Sequence, residues 1–134
     1  MTSTDNKRLL QAAFAALERG DGTLFGECMA DDFTWTIIGT TPWSRTYSGK
    51  STVQRELFRP LFAQFAGRYT NRAIRFIAED DYVVVECRGN VTTKSGQAYN
   101  NSYCYVCRFA NGKMVELTEY LDTALVEKAL LTPG

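Results

Sequence analysis

The stretch Tyr99-Asn-Asn-Ser-Tyr-Cys-Tyr-Val-Cys-Arg-Phe109, Ala110-Asn-Gly-Lys113, Met114-Val-Glu-Leu-Thr-Glu-Tyr-Leu121 reads as two β-rich runs joined by Asn111-Gly112, a strong two-residue hairpin signal. Two further runs precede it, Ala73–Ala78 and Tyr82–Thr92, with turn signals at Glu79-Asp-Asp81 and Lys94-Ser-Gly96. Strands linked hairpin to hairpin imply an antiparallel meander. Upstream the period changes. Leu9, Leu10, Ala13, Phe14 and Leu17 recur at helical spacing between an N-cap at Thr4 or Asp5 and a stop at Gly20. Asp21 can cap a second, shorter helix with Leu24, Phe25, Cys28 and Met29 on one face. Phe33–Ile38 reads as a strand, and a loop through Pro42, Trp43 and Gly49 follows. Val53, Leu57, Phe58, Leu61, Phe62 and Phe65 mark a third helix that Pro60 should kink or divide. Ala124–Leu131 adds a short closing helix before Pro133. Helices, one strand, a helix and then hairpins do not make a βαβ sheet. The expected fold is α+β: one domain, residues 1–134, with a cone-shaped curved antiparallel sheet wrapped on the N-terminal helices and a ligand site in its mouth.

Composition narrows the function classes. Fifteen basic residues balance fifteen acidic ones, so no overall field attracts nucleic acid or an anionic membrane. No apolar run approaches the roughly 20 residues needed to span a bilayer, and the polar opening Met1–Arg8 does not resemble a signal peptide. A cytoplasmic location is expected. The four cysteines, Cys28, Cys87, Cys104 and Cys107, are expected to be reduced thiols. Cys104-Tyr-Val-Cys107 spells C-x-x-C but lies in a strand, without the helix N-terminus that activates a thiol. With no histidine and no second close cysteine pair, no metal site is read, and nothing calls for a nucleotide or flavin.

The helix pair ending in Gly20-Asp21, Ala30-Asp-Asp-Phe-Thr-Trp35, Tyr99-Asn-Asn-Ser-Tyr103, Gly112-Lys-Met114 and Glu119-Tyr-Leu-Asp122 together resemble the SnoaL-like, ketosteroid-isomerase-like (nuclear transport factor 2-like) superfamily over nearly the whole chain. The resemblance implies a cone-shaped α+β fold and commonly a homodimer. It leaves activity open among isomerases, cyclases, epoxide hydrolases and binding proteins. Placed on the ketosteroid isomerase pattern, the oxyanion-hole tyrosine falls on Ala13, the base on Ile37 and the protonated aspartate on Tyr105, so that arrangement is not filled. Placed on the limonene epoxide hydrolase pattern, Glu86 falls where an arginine stands and Arg88 where the first aspartate stands. Glu119 matches the second aspartate, while Trp35 and Ile37 take the water-holding positions.

Alternation across strands puts Glu86 with Arg88 on one face, and Tyr99, Asn101, Tyr103, Tyr105 and Cys107 on another. The resemblance points both sets into the cone. The opposite register, with Val83, Val85 and Cys87 inward, also buries apolar residues. The expected catalytic set is therefore Glu119, Glu86 and Arg88, and the expected ligand-binding set Trp35, Ile37, Phe62, Asn101, Tyr103 and Tyr105. An ion-pair network bracing the sheet is the competing reading of the first set. On the outer face, Asn100, Ser102, Cys104, Val106, Glu116, Thr118 and Tyr120 suit a homodimer interface. Two function classes fit this pattern: a cofactor-independent isomerase or hydrolase acting on a small, largely apolar substrate through a carboxylate base, and a non-catalytic ligand-binding or dimeric interaction domain.

Overall fold

The computed structural model describes residues 1–133, and its architecture is a bent sheet with helices packed in its concave face. Helix α1 spans Ser3–Leu17. Its N-cap is Thr2, ahead of the expected Thr4 or Asp5. The Thr2 hydroxyl accepts from the Asp5 backbone N–H while the Asp5 carboxylate accepts from the Thr2 backbone N–H, a reciprocal capping box. Helix α2, Thr23–Glu27, follows after Gly20, whose φ of +81° only glycine adopts freely.

The sheet has six strands in the order β2-β1-β6-β5-β4-β3. They are β1 (Met29–Ile37), β2 (Thr46–Ser48), β3 (Thr70–Glu79), β4 (Tyr82–Asn90), β5 (Ser102–Ala110) and β6 (Lys113–Leu121). The meander β3 to β6 is antiparallel, and Asn111 and Gly112 both have positive φ at its last turn. One pairing departs from the antiparallel expectation: β1 lies parallel to β6, with Trp35 opposite Leu117 and Ile37 opposite Glu119. The loop after β1 also contains β2, too short for sequence periodicity to show.

Between β2 and β3 the chain is helical from Lys50 to Phe62, and Pro60 neither ends nor splits it. Instead the backbone widens to a π-helical segment, Val53–Phe58, between α3 (Lys50–Thr52) and α4 (Arg59–Phe62). A proline ring clashes with the carbonyl four residues earlier in an α-helix. Here that residue, Glu56, sits inside the widened turn. Helix α5, Thr123–Ala129, is capped by the Asp122 side chain.

The core lies between the concave sheet face and the helices, built from Leu10, Ala13 and Phe14 of α1, Phe25, Val53 and Leu57, and Val83, Val85, Cys87, Cys107, Met114 and Leu117 of the sheet. Two bulges shift side-chain parity. In β6 the register shifts beside Arg108/Phe109, so Met114 is buried in place of Val115, which strict alternation from Leu117 and Glu119 would turn inward. In β3 the shift falls between Ala73 and Arg75, so Asn71 and Phe76 point the same way despite odd spacing. The four cysteines are free. Cys104 and Cys107 are on opposite faces, which rules the pair out as a C-x-x-C redox centre. No helix among the described residues is long and apolar enough to cross a membrane.

The Asn111-Gly112 turn sets the register of the strand that carries Glu119. Gly112, at φ +76°, should resist substitution: Gly112→Ala is expected to cost about 1–2 kcal/mol, the penalty for a Cβ in left-handed backbone. Urea unfolding should show a lower midpoint with unchanged slope; an unchanged midpoint would contradict the turn assignment.

Candidate functional site

Inside the cone a cavity of about 160 Å³ opens between the sheet, the π-helical segment and the C-terminal helix. Its walls are largely aromatic. Trp35 is the centre of the array, in edge-on contact with Phe25, Phe58 and Tyr105 at ring separations of 6.1, 5.4 and 5.5 Å. Phe62, 45% exposed, stands at the rim and stacks on Phe58. The Trp43 indole, also in the wall, donates to the Leu131 carbonyl at 2.9 Å, and Gln64 holds the Leu131 backbone on both sides.

Glu119 is the one acidic side chain among the described residues lining this cavity, and no basic side chain accompanies it. It is 6% exposed. Alternation on β6 places it beside Tyr105 of β5 and Ile37 of β1, and the parallel register lets the Trp35 indole N–H donate to its Oε1 at 2.7 Å. Burial pushes the carboxyl up to about 7, and the indole hydrogen bond offsets only part of the shift. At neutral pH the group therefore exists in comparable amounts as acid and as base.

Phenols gather around it. Tyr69, Tyr99, Tyr103 and Tyr105 all line the cavity. Burial raises each above the ordinary phenol range, Tyr99 to about 12, with the Glu119 charge acting in the same direction. They stay protonated at neutral pH and offer O–H donors. Room for them comes from Gly89, on the inward face of β4: a Cβ there would lie 2.9 Å from the Tyr69 hydroxyl and 3.1 Å from the Tyr103 ring.

Of the residues expected at the site, the structure brings Glu119, Trp35, Ile37, Phe62, Tyr103 and Tyr105 to one cavity. It separates the rest. Glu86 and Arg88 lie on the outer face, because β4 turns Val83, Val85, Cys87 and Gly89 inward. Glu86 is opposite Arg75 and pairs with it at 2.9 Å, while Arg88 donates to the Cys87 carbonyl. The physical reason is desolvation: either register buries valines, but only this one leaves both charges in water. The expected convergence of Glu86, Arg88 and Glu119 is absent, and so is the bracing network. Asn101 is fully buried but does not line the cavity. Its Oδ1 accepts from the Asp122 and Ser102 backbone N–H groups, and its Nδ2 donates to the Asp122 carbonyl and the Tyr99 hydroxyl. It ties the start of α5 to β5 and steadies Tyr99.

Sequence reading passed over Tyr69 and Asn71, which also line the cavity. Tyr69 precedes its strand, so alternation says nothing of it. Asn71 carries a usable signal, an amide in a run of strand formers, but the bulge after Ala73 hides its parity with Phe76.

The raised carboxyl links folding to pH. Between about 4.5 and about 7 an unfolded chain has released the Glu119 proton while the folded one holds it, so stability falls across this window and levels off above it. The loss amounts to about 3 kcal/mol. Glu119→Gln keeps an oxygen for the Trp35 N–H and cannot titrate. Relative to the parent it should gain about 3 kcal/mol between pH 4.5 and pH 8 in urea unfolding, because contributions from the other carboxylates cancel in the difference. Parallel stability profiles would refute the buried titrating carboxyl.

The geometry has counterparts among known proteins. The family model of the SnoaL-like domain matches residues 10–117. None of the curated proteins matches the chain. Among solved structures, an NTF2-like protein from Burkholderia thailandensis has 25% identity and a TM-score of 0.81, covering 98% of both chains. A protein from Jannaschia sp. described as a candidate SnoaL-like polyketide cyclase has 19% identity and a TM-score of 0.77, covering 98% of this chain and 94% of its own. One from Bacillus subtilis described as a candidate isomerase has 18% identity and a TM-score of 0.73, covering 96% and 95%. At such identities the structural likeness shows the fold, and the family model matches most of the chain: it belongs to the SnoaL-like domain family, with the NTF2-like cone as its architecture.

Proposed function

We propose that the protein is a cofactor-independent enzyme that moves a proton on a small, largely apolar substrate, with Glu119 as acid and base. The observation that carries this reading is a buried carboxyl, held at about 7 by burial, facing an aromatic cavity with no cation to fix its charge. In the step best suited to these groups, the Glu119 carboxylate takes a proton from carbon next to a substrate carbonyl. The electron pair of the broken C–H bond passes to the carbonyl oxygen, which accepts a hydrogen bond from the phenol of Tyr103. Return of the proton to the same or another carbon completes exchange or isomerisation. Trp35 keeps one carboxyl oxygen fixed, so proton transfer falls to the other.

Cyclisation and hydrolysis draw on the same acid–base pair, and the candidate cyclase and isomerase among the structural relatives lend support to that range. Proton transfer is tested without knowing the physiological substrate. Small cyclic ketones in D₂O should exchange α-protons faster with the protein than without it, followed by NMR. The rate constant should rise with pH through about 7 as the base form fills. Glu119→Gln should lower the catalysed rate by at least about 100-fold, the usual span of a general base. Equal exchange by parent and variant would rule Glu119 out as the base, and binding of ketones without exchange would favour the non-catalytic ligand-binding reading.

We further propose a homodimer through the outer sheet face. Register lays Ile77, Val84, Val106 and Thr118 in one row across four strands, with Tyr120 beside them. Ile77 and Tyr120 are 57% and 48% exposed in the single chain. A second copy would cover that row. A cytoplasmic location fits the free thiols. Sedimentation should find a dimer at micromolar concentration, and Val106→Asp should yield a folded monomer, because an unpaired buried charge is costly. A monomeric parent protein removes the proposal.

A further inference from the structure

Asn71 is 2% exposed and lines the cavity, yet its side chain is only half used. Nδ2 makes a long hydrogen bond of 3.4 Å to the Tyr105 hydroxyl, while Oδ1 is buried with no partner. A buried amide oxygen without a donor is costly, and such groups are nearly always satisfied. Asn6 Oδ1 is the other buried side-chain atom without a partner among the described residues, but Asn6 belongs to α1 and does not line the cavity.

The surroundings specify what would satisfy Asn71. Tyr105 accepts from the Asn71 amide, so its own O–H is free to donate into the cavity. Amide oxygen and phenol proton together offer one acceptor and one donor, which a single hydroxyl group matches because it can donate and accept at once. The walls around them are aromatic and uncharged apart from Glu119. The volume of about 160 Å³ is close to that of an engineered apolar cavity of about 150 Å³ that takes benzene.

We propose that Asn71 is the specificity residue of the cavity, and that the ligand is a neutral molecule of single-ring size whose hydroxyl group donates to Asn71 Oδ1 and accepts from the Tyr105 O–H. This rests on reading the cavity as a ligand site but not on catalysis. A methyl ether in place of the hydroxyl keeps the acceptor and loses the donor. A methyl group loses both.

Phenol, anisole and toluene form that series, and calorimetric titration of the intact protein with each gives the test. Phenol should bind at least about tenfold more tightly than anisole or toluene, the share of one well-made hydrogen bond to an otherwise unsatisfied group. Asn71→Leu should erase the preference and leave toluene affinity within about threefold of the parent. Retained toluene binding shows that the cavity has kept its shape. Asn71→Ala repeats the comparison with a smaller side chain, and Glu119→Gln should keep the preference. Equal affinities in the parent, no binding of any of the three, a preference that survives both Asn71 variants, or one that vanishes in Glu119→Gln instead would each overturn the assignment. Loss of toluene binding in both Asn71 variants would also count against it, since the amide would then be holding the cavity open. Because the readout is binding, failure of the exchange assay leaves this result standing, and failure here leaves the exchange assay standing.

Discussion

The hydrogen bond from the Trp35 indole to Glu119 Oε1, 2.7 Å long, follows from the parallel pairing of β1 with β6, which sets the two residues on one face with a diagonal offset of two residues. Everything characteristic of the cavity depends on that contact. A carboxyl buried among aromatic rings loses hydration that one neutral N–H donor does not replace. An arginine alongside would favour the ionised form, and loss of the indole donor would raise the carboxyl further. The indole leaves it between these limits, at about 7. Trp35 is fixed in turn by Phe25, Phe33, Phe58 and Tyr105 packed edge-on around it, so the donor is preorganised by the hydrophobic core.

The distribution of charge over the two sheet faces follows from the same economy of desolvation. Arg75 and Glu86 pair on the outer face, and Arg108 is flanked there by Asp81 and Glu116. These contacts are partly exposed and contribute little to stability. What they accomplish is exclusion: with the charged members of β4 and β5 turned outward, the concave face holds apolar side chains, phenols, the Trp35 indole and one carboxyl. A cavity built this way has poor means of neutralising a charged ligand and good means of orienting an uncharged one.

Much of the fold was legible because hairpin signals and helical periodicity are local. Asn111-Gly112 and the spacing of Leu10, Ala13, Phe14 and Leu17 needed no tertiary knowledge, and the resemblance carried Glu119, Trp35, Tyr103 and Tyr105 to the cavity. What escaped was non-local or parity-dependent. The partner of β1 is chosen some 80 residues downstream, so its parallel direction leaves no trace in its own sequence. In β4, Tyr82-Val-Val-Val85 buries a valine in either register, so the choice falls to the cost of burying Glu86 and Arg88, and Gly89, whose missing side chain makes room for Tyr69 and Tyr103, fits the same choice. Two bulges then reverse parity, replacing Val115 by Met114 and concealing Asn71. Asn101 escaped for another reason: alternation turns it inward, but the partners that satisfy it lie in the α5 cap.

The state of Glu119 that suits chemistry is the one that suits folding least. The protonated carboxyl is the form the buried site prefers, whereas abstraction of a proton from carbon requires the anion. A base with a much higher pKa would rarely be ionised at neutral pH, and one with an ordinary carboxylate pKa would be a weaker base toward a proton on carbon. A value near neutrality balances occupancy of the base form against its strength. The surrounding phenols sharpen the compromise, since each stays protonated and can donate to negative charge developing on a substrate, yet none supplies a full positive charge that would drive Glu119 permanently into its anionic form. A cone lined with tyrosine rather than arginine or lysine is thus the environment in which a single glutamate can serve alternately as base and acid.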